Sequence, residues 1–299
     1  MWRIWAAALF WGLNWPVIKV LLTGASPWTL RAAGLTGGAI LLGAATFAAR
    51  QSLCVPRRDW GKVVIAGLLN VAAFNILSVF AQMTMTASRA AILNYTMPLW
   101  SVLFARVALG ERIDALRWVA LGLGVVGISL LSEPFWATIA QGQVPDGLAY
   151  VLSAAIAWAA GTVYLKRAKP AGDPLGLTTW QFTVGAVATT IGMLLLEVPR
   201  LELDRPLILG AFIYNIIFPQ AVAYALWFAL MVRVPASTAA LGTLLVPICA
   251  VAASSLWLGE RLSPLDWLGF LVILGSVALD QGLRSIIMVP PAPKTPNGS

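Results

Sequence analysis

Apolar runs about twenty residues long recur along the whole chain, and they constrain its fold more than any other feature. A helix of that length crosses the roughly 30 Å hydrocarbon core of a bilayer. Hydrophobic residues make up 60% of the 299 residues and charged residues only 11%. A soluble domain averages roughly a quarter charged residues. The sequence therefore predicts an all-α integral membrane protein, because a helix satisfies its own backbone polar groups within lipid.

Turn-forming sequences divide the chain into ten predicted transmembrane helices. Short clusters such as Thr23–Pro27 and Glu133-Pro134 separate the apolar runs. The first run is predicted to be a span and not a cleaved signal peptide, because Asn14, Pro16 and Lys19 interrupt it. The predicted spans cover residues 3–22, 28–49, 62–82, 90–108, 115–132, 147–166, 176–197, 207–231, 236–257 and 264–283.

Lys and Arg are concentrated in alternate loops of this topology. The segment 133–146, between the fifth and sixth spans, contains neither residue. Cytoplasmic loops carry the excess of positive charge, so both termini are predicted to be cytoplasmic, in a bacterial-type inner membrane. The same bias accounts for the net charge of +8 without a nucleic-acid partner, which would need a basic polar surface. The basic loops contain Arg50, Arg57, Arg58 and Lys62, then Arg106, Arg112 and Arg117, then Lys166, Arg167 and Lys169.

The second half of the chain repeats the first at an offset of 149 residues. Four matches share that offset without a gap: Ser88 with Ser237, Pro98 with Pro247, Leu109–Arg112 with Leu258–Arg261, and Trp118 with Trp267. Five helices per repeat is an odd number, so the two halves are predicted to have opposite topology around a central cavity, as in many secondary transporters. The predicted units are residues 1–135 and 136–284, followed by a disordered tail over 285–299.

Leu-Gly-Glu-Arg closes the fourth and the ninth predicted spans, and an apolar helix with a Trp follows each copy. In this pattern, and in Trp11-Gly12, the chain resembles the drug/metabolite transporter superfamily and, more closely, its ten-helix EamA-type branch. The resemblance covers the chain to about Arg284. It implies an exporter with alternating access, and amino acids, other metabolites or cationic drugs as substrate classes.

Some shorter stretches are similar to the YddG-type aromatic amino acid exporters. They are Asn94-Tyr95 with Pro98, Ala157–Ala160, and Ala223–Ala225 with Trp227. The start of the first span, Gly12–Pro16, departs from that pattern and resembles EamA members in general. The family resemblance does not fix the substrate.

Polar residues in the middle of apolar spans are the candidates for substrate binding, because an unpaired polar group in lipid costs several kcal/mol. Asn14 lies near the middle of the first span, and Gln220, Tyr224 and Trp227 share one face of the eighth. Aromatic faces would attract a flat or cationic solute, and amides would bind the charged groups of an amino acid. The alternative is that each polar residue joins two helices. The full predicted set is Trp11, Asn14, Asn75, Ser78, Gln82, Asn94, Tyr95, Trp158, Gln181, Gln220, Tyr224 and Trp227.

Four further residues are predicted to act in hinges or gates. Pro98 and Pro247 occupy matched positions inside spans four and nine, where a proline kinks a helix. Glu111 and Glu260 end those spans beside an Arg and are predicted to anchor loops or to form gates. The motif Gly122-x-Gly124-x-x-Gly127 lies inside the fifth span and is predicted to serve helix packing rather than dinucleotide binding.

The chain has no His, and no Asp or Glu lies clearly at a predicted midplane position. Proton relays through membranes usually need such a group, so a passive carrier is predicted. No cofactor, metal site or enzyme activity is expected, since no catalytic or metal-ligand constellation is visible. A channel, a structural subunit and a nucleotide-sugar or nucleoside carrier are weaker alternatives. The last would need basic residues in the cavity, and Lys19, Arg31 and Arg89 are predicted too near the outer face. The expected partners are a small-molecule substrate and the lipid bilayer, with monomer or dimer left open.

Overall fold

A computed structural model describes residues 2–226 and 244–287 of the chain. All regular elements in this part are helices, and the one β contact is an isolated bridge between Ala25 and Leu201. Six helices are long and apolar enough to cross a membrane, and a bent pair that meets at 58° makes a possible seventh span. Trp5–Leu21 and Leu245–Leu258 are shorter apolar helices. The all-helical membrane fold is confirmed, and the count of ten crossings stays a prediction.

Thirteen α-helices, numbered in chain order over the described residues, follow the predicted spans. They are α1 (Trp2–Leu21), α2 (Pro27–Ala48), α3 (Trp60–Ala66), α4 (Phe74–Thr84), α5 (Ala87–Asn94), α6 (Met97–Leu109), α7 (Ala115–Leu131), α8 (Trp136–Ala140), α9 (Asp146–Ala168), α10 (Pro174–Leu196), α11 (Pro206–Asn215), α12 (Leu245–Leu258) and α13 (Pro264–Ile287).

Two spans contain a wider π-helical segment that the sequence analysis did not predict. Gly67–Ala73 joins α3 to α4, and Ile216–Val222 continues α11 towards Leu226. Pro219 lies inside the second segment, where its missing N–H interrupts the α-helical hydrogen bonds. Such segments are rare and often occur at functional sites.

The fourth span is broken into α5 and α6 at Tyr95 and Thr96. Pro98 is the second residue of α6, where a proline is tolerated because its N–H has no partner in the helix. The bend expected at Pro98 therefore takes the form of a helix end just before it. Pro247 is the third residue of α12, and residues 227–243 lie outside the described part of the chain.

The segment after α7, which was predicted to be a loop, contains two short helices. A 3₁₀ turn over Glu133–Phe135 leads into α8, and Trp136 Nε1 donates a hydrogen bond to Ser129 O at 3.1 Å. This bond folds the segment back against the end of α7.

Close helix pairs hold the bundle together: α2 against α10, α7 against α13, and α1 against α12. Glycines permit these approaches, as predicted for α7. A Cβ on Gly127 would lie 2.5 Å from Ile273 Cγ1, and one on Gly124 would collide with Leu99. A Cβ on Gly122 would have no other atom within 4 Å. Gly124 and Gly127 therefore serve packing, whereas Gly122 faces open space.

The bundle has two ends, which we name after the glutamates of the repeated motif. The Glu260 end contains the connections around residues 22–26, 85–86, 197–205 and 259–263. The Glu111 end contains those around residues 49–59, 110–114 and 169–173.

Candidate functional site

Three side-chain amides form a hydrogen-bonded chain, the amide cluster, between α1, the eighth span and α2. Asn215 Nδ2 donates to Asn14 Oδ1 at 2.7 Å, and Gln220 Nε2 donates to Asn215 Oδ1 at 3.1 Å. Asn215 and Gln220 are buried, and Gln220 Oε1 has no hydrogen-bond partner. One acceptor of the cluster is therefore buried without a hydrogen-bond partner.

A glycine-lined face of α2 allows this cluster to form. A Cβ on Gly34 would lie 3.0 Å from Asn215 Oδ1, and one on Gly38 would lie 3.0 Å from Gln220 Oε1. Gln220 belongs to the π-helical segment and follows Pro219 directly. The wider helix and the small residues opposite together bring two amides of one span against α2.

An aromatic group, which we call the aromatic wall, adjoins the amide cluster. It comprises Trp11, Phe182 and Tyr224. The ring of Tyr224 lies edge-on to Trp11 at 5.4 Å and to Phe182 at 5.0 Å between centroids. Trp11 Nε1 donates to Pro219 O at 3.0 Å. The structure thus brings together four predicted residues, Trp11 and Asn14 of α1 with Gln220 and Tyr224 of the eighth span.

Tyr95 is buried at the break in the fourth span and packs in one apolar cluster with Ala8 and Val246, beside Trp11. Asn94, its neighbour, is 1% exposed, and neither atom of its amide group has a hydrogen-bond partner. Tyr95 therefore lies near the aromatic wall, and Asn94 offers a donor and an acceptor at the adjoining helix end.

The predicted residues of the third span are not part of the amide cluster. Asn75 Nδ2 donates to Val71 O of its own span at 2.9 Å. Ser78 Oγ and Gln82 Oε1 are buried without a hydrogen-bond partner, and the backbone carbonyl of Gln82 accepts a bond from Lys19 Nζ. These three residues lie on one face of α4, and Gln82 is the nearest of them to the Glu260 end.

Trp158 and Gln181 lie on other contacts. Trp158 packs on Phe74 with 4.7 Å between ring centroids, and Gln181 Nε2 donates to Leu177 O of its own helix at 3.3 Å. Within the described residues, neither side chain forms a hydrogen bond with the amide cluster. Trp227 lies outside the described residues, as do the predicted C-terminal tail beyond Ile287 and the repeat element Ser237–Ala240.

Glu260 and Glu111 occupy matching turns. Gly259 and Gly110 before them have φ values of 67° and 70°, a left-handed conformation that favours glycine. Glu260 Oε1 accepts from Ala87 N at 2.7 Å, and its Oε2 accepts from Ser88 N at 2.9 Å. Glu260 therefore caps α5.

Glu111 forms an ion pair at the opposite end. Its Oε1 lies 2.6 Å from Lys166 Nζ, and its Oε2 lies 3.7 Å from Arg117 Nη1. Each glutamate of the repeated motif thus connects the end of one span to a neighbouring span.

Asn215 and Phe182 are the residues of this site that the sequence analysis missed. Asn215 is an amide inside an apolar run, five residues before Gln220, and that signal was sufficient to find it. Arg31 was set aside as too near the outer face, but it is buried, with 4% of its surface exposed. Phe182 carried no signal, because one Phe in an apolar helix resembles any other.

An apolar groove of the described residues lies on the outside of the bundle. It has a volume of about 430 Å³ between α2 and α10, and its lining residue Ile40 is 66% exposed. In a membrane protein this surface contacts lipid acyl chains. A second groove of about 440 Å³ lies at the Glu260 end and is lined by Lys19, Arg89 and Glu260 among others.

With this geometry in hand, comparison with known proteins identifies the family. The model of the EamA-like transporter family matches residues 2–133 and again residues 146–279. The chain belongs to the EamA-like transporter family. It is therefore a membrane transporter of the drug/metabolite transporter superfamily and not an enzyme, as the repeated Leu-Gly-Glu-Arg motif indicated. A narrower likeness to YddG-type exporters stays a prediction.

Relatives of this EamA-family chain are named as transporters. The uncharacterized transporter YvbV of Bacillus subtilis (strain 168) is 26% identical over 91% of this chain and 88% of its own length. The probable amino-acid metabolite efflux pump of Escherichia coli (strain K12) is 26% identical over 92% of both proteins. A solved crystal structure matches with a TM-score of 0.65 and 20% identity, over 96% of this chain and 97% of that one. That likeness supports the fold alone.

Proposed function

We propose that this protein exports amino acids, aromatic ones among them, by alternating access through a site between its first and eighth spans. The observation that carries the proposal is the amide cluster next to the aromatic wall. Asn14, Asn215 and Gln220 offer amide donors and acceptors, and Trp11 and Tyr224 offer ring faces and edges beside them. An amino acid has a charged end and a side chain that fit these two surfaces. The name of the related efflux pump supports the same substrate class.

The proposed transport cycle uses the two ends of the bundle in turn. Glu260 joins the connection after α12 to α5, and Lys19 Nζ of α1 donates to Met85 O at 2.9 Å beside it. Glu111 joins the connection after α6 to Lys166 of α9. Since equivalent motifs make both contacts, we propose that they belong to inverted halves, residues 1–135 and 136–284. In each half of the cycle, either the Glu260 contact or the Glu111 contact would break while the other stays formed.

The proposed orientation places the Glu111 end, which carries most of the basic loops, in the cytoplasm of a bacterial cell. Both termini would then be cytoplasmic, and the groove lined by Lys19, Arg89 and Glu260 would open to the outside. Export would proceed from the Glu111 end to the Glu260 end.

The proposed carrier is passive. Among the described residues, Asp280 lies within α13, 3.3 Å from Arg117 Nε at the Glu111 end. The other acidic side chains that form hydrogen bonds or ion pairs lie at helix ends or in loops: Asp59, Glu111, Asp114, Asp173, Glu197, Glu202, Glu260 and Asp266. None of them lies beside the amide cluster. A proton-coupled carrier usually needs an ionisable group near its site.

Uptake into liposomes that contain only this protein tests the proposal. Radiolabelled Phe, Trp, Thr, Met, Lys and Glu are offered with and without a pH gradient, against empty liposomes. We expect saturable uptake of Phe or Trp without a gradient. Tyr224→Ala should raise the concentration for half-maximal uptake. Tyr164→Ala is the control and should not change it, because Tyr164 lies near the C-terminal end of α9.

Two results would contradict the proposal in different ways. Uptake that requires a pH gradient would refute the passive mechanism and leave the substrate class intact. Uptake of lipophilic cations but of no amino acid would instead favour a drug exporter, the alternative that an aromatic wall also suits.

A further inference from the structure

Arg31 is a buried guanidinium without a partner. It lies in the second turn of α2, with 4% of its surface exposed, and its Nε has no hydrogen bond. No carboxylate within the described residues pairs with it. By contrast, Arg89 Nη2 lies 2.7 Å from Asp266 Oδ1, and Arg205 Nη1 lies 2.9 Å from Glu202 Oε2. Burial of an unpaired charge is strongly unfavourable, so a native fold keeps such a group when something else binds it.

The face of α2 that carries Arg31 is the face on which the amide cluster packs. Gly34 and Gly38 follow Arg31 at three and seven residues, and so lie on the same side of the helix. A Cβ on Gly34 would lie 3.1 Å from Gln220 Nε2, and one on Gly38 would lie 3.2 Å from Phe182 Cδ1. One helical turn is about 5.4 Å. Arg31 is therefore one turn from the amide cluster, towards the Glu260 end.

The third span approaches the same level. Leu35 and Val71 share one apolar cluster with Phe182, and Leu30 shares another with Val79. These two clusters lie on either side of Arg31 along α2. Ser78, the neighbour of Val79, has a buried hydroxyl without a partner. Unsatisfied polar groups from spans two, three and eight, namely Arg31 Nε, Ser78 Oγ and Gln220 Oε1, thus lie within about two helical turns of one another in depth.

We propose that Arg31 binds the carboxylate of the transported solute, so that the substrates are organic acids and amino acids rather than amines or neutral metabolites. The proposal deepens the function given above and rests on it. A guanidinium offers planar, paired donors that match the two oxygens of a carboxylate. With its carboxylate on Arg31, an aromatic amino acid directs its side chain towards Trp11, Phe182 and Tyr224. Its ammonium group then meets the free acceptor, Gln220 Oε1.

Binding of matched acids and amides to the purified full-length protein tests this assignment. Phenylalanine is compared with phenylalaninamide, and 3-phenylpropionate with 3-phenylpropanamide, by quenching of tryptophan fluorescence in nanodiscs. We expect the wild-type protein to prefer each acid over its amide at least tenfold, as charge-assisted hydrogen bonds allow. Arg31→Gln should abolish the preference through weaker binding of the acid, and Arg31→Lys should keep part of it. Arg205→Gln removes an exposed arginine and should change neither ratio.

The outcomes separate this proposal from the proposed function. Equal loss of acid and amide binding in Arg31→Gln would overturn the role of Arg31 and leave amino-acid transport standing. Arg31-dependent binding of phenylpropionate without binding of phenylalanine would support Arg31 and refute the amino-acid function. A wild-type protein with no preference for either acid would overturn the assignment. If Arg31→Gln does not fold, the acid-to-amide ratio of Arg31→Lys decides: a ratio below that of the wild-type protein supports the role of Arg31, and a ratio equal to the wild-type one overturns it.

Discussion

A single residue of this transporter contributes most to stability where its side chain forms hydrogen bonds with two other side chains. Asn215 donates to Asn14 and accepts from Gln220, so it joins the first span to the wider part of the eighth. Asn75 looks similar in the sequence, but its amide bonds only to Val71 O of the same span. Two mid-span asparagines therefore have different structural roles, and a substitution at each distinguishes them.

Asn215→Ala is expected to destabilise the protein by about 1–3 kcal/mol, because it leaves buried groups of Asn14 and Gln220 without partners. The free energy of unfolding, or the midpoint of thermal unfolding in detergent, measures the effect. Asn75→Ala is the matched control and should destabilise the protein less. The one group that loses a partner is the Val71 carbonyl, which keeps its hydrogen bond within the helix. Equal losses for the two variants would contradict the pairing of Asn14 with Asn215.

At the scale of elements, the irregular segments within the spans place the candidate site residues. The π-helical segment Ile216–Val222 turns Gln220 and Asn215 to the same face, and the break between α5 and α6 places the buried residues Asn94 and Tyr95 at a helix end. The short helix α5 depends on a group from elsewhere, because Glu260 accepts the bonds of its first two N–H groups. The Glu260 contact is therefore both a helix cap and a link between the connection after α12 and the fourth span.

Glu260→Ala is expected to lower stability by about 0.5–2 kcal/mol, the usual cost of losing a helix cap. If the contact also holds the Glu260 end closed, the rate of amino-acid exchange in liposomes changes as well. Thermal unfolding and initial exchange rates are measured together. Glu133→Ala is the control, because Glu133 lies at the same end and its side chain forms no hydrogen bond or ion pair among the described residues. An unchanged exchange rate beside the expected loss of stability would leave Glu260 as a cap and refute the gate.

For the whole molecule, orientation in the membrane is the property that links the fold to the direction of transport. Cys54 lies in an exposed loop at the Glu111 end, and Cys249 lies within α12 and is partly buried. Both are free, so the chain carries one natural label for one end of the bundle.

A membrane-impermeant maleimide should label Cys54 from the cytoplasmic side alone, because the basic loops are expected there. Inside-out vesicles and intact cells or spheroplasts are compared, with Cys249→Ser to remove the second thiol and Cys54→Ser as the control for specificity. Labelling of intact cells would invert the proposed topology and with it the direction of export.

The positions of the helices followed from the sequence because the length and polarity of an apolar run are local properties. Helical segments of the described residues lie within the predicted spans, and Gly124 and Gly127 of α7 pack as expected. Residues 227–243, which belong in part to the eighth and ninth predicted spans, lie outside the described part of the chain. The family also followed from local motifs, since Leu-Gly-Glu-Arg needs only its own spacing to be recognised. Trp11, Asn14, Gln220 and Tyr224 were found as candidates because polar and aromatic side chains stand out in apolar runs.

Only the tertiary structure decided which of these residues meet. The bond between Asn14 and Asn215 joins positions 201 residues apart, and no pattern within either span specifies it. The break before Pro98 and the widened turns around Asn70 and Pro219 depend on the helices packed against them. Burial of Arg31 is likewise a tertiary property, because packing between helices covers a position that was predicted to lie near the membrane surface. The sequence fixes each helix through local polarity, whereas partners and burial arise from contacts between helices distant in the chain.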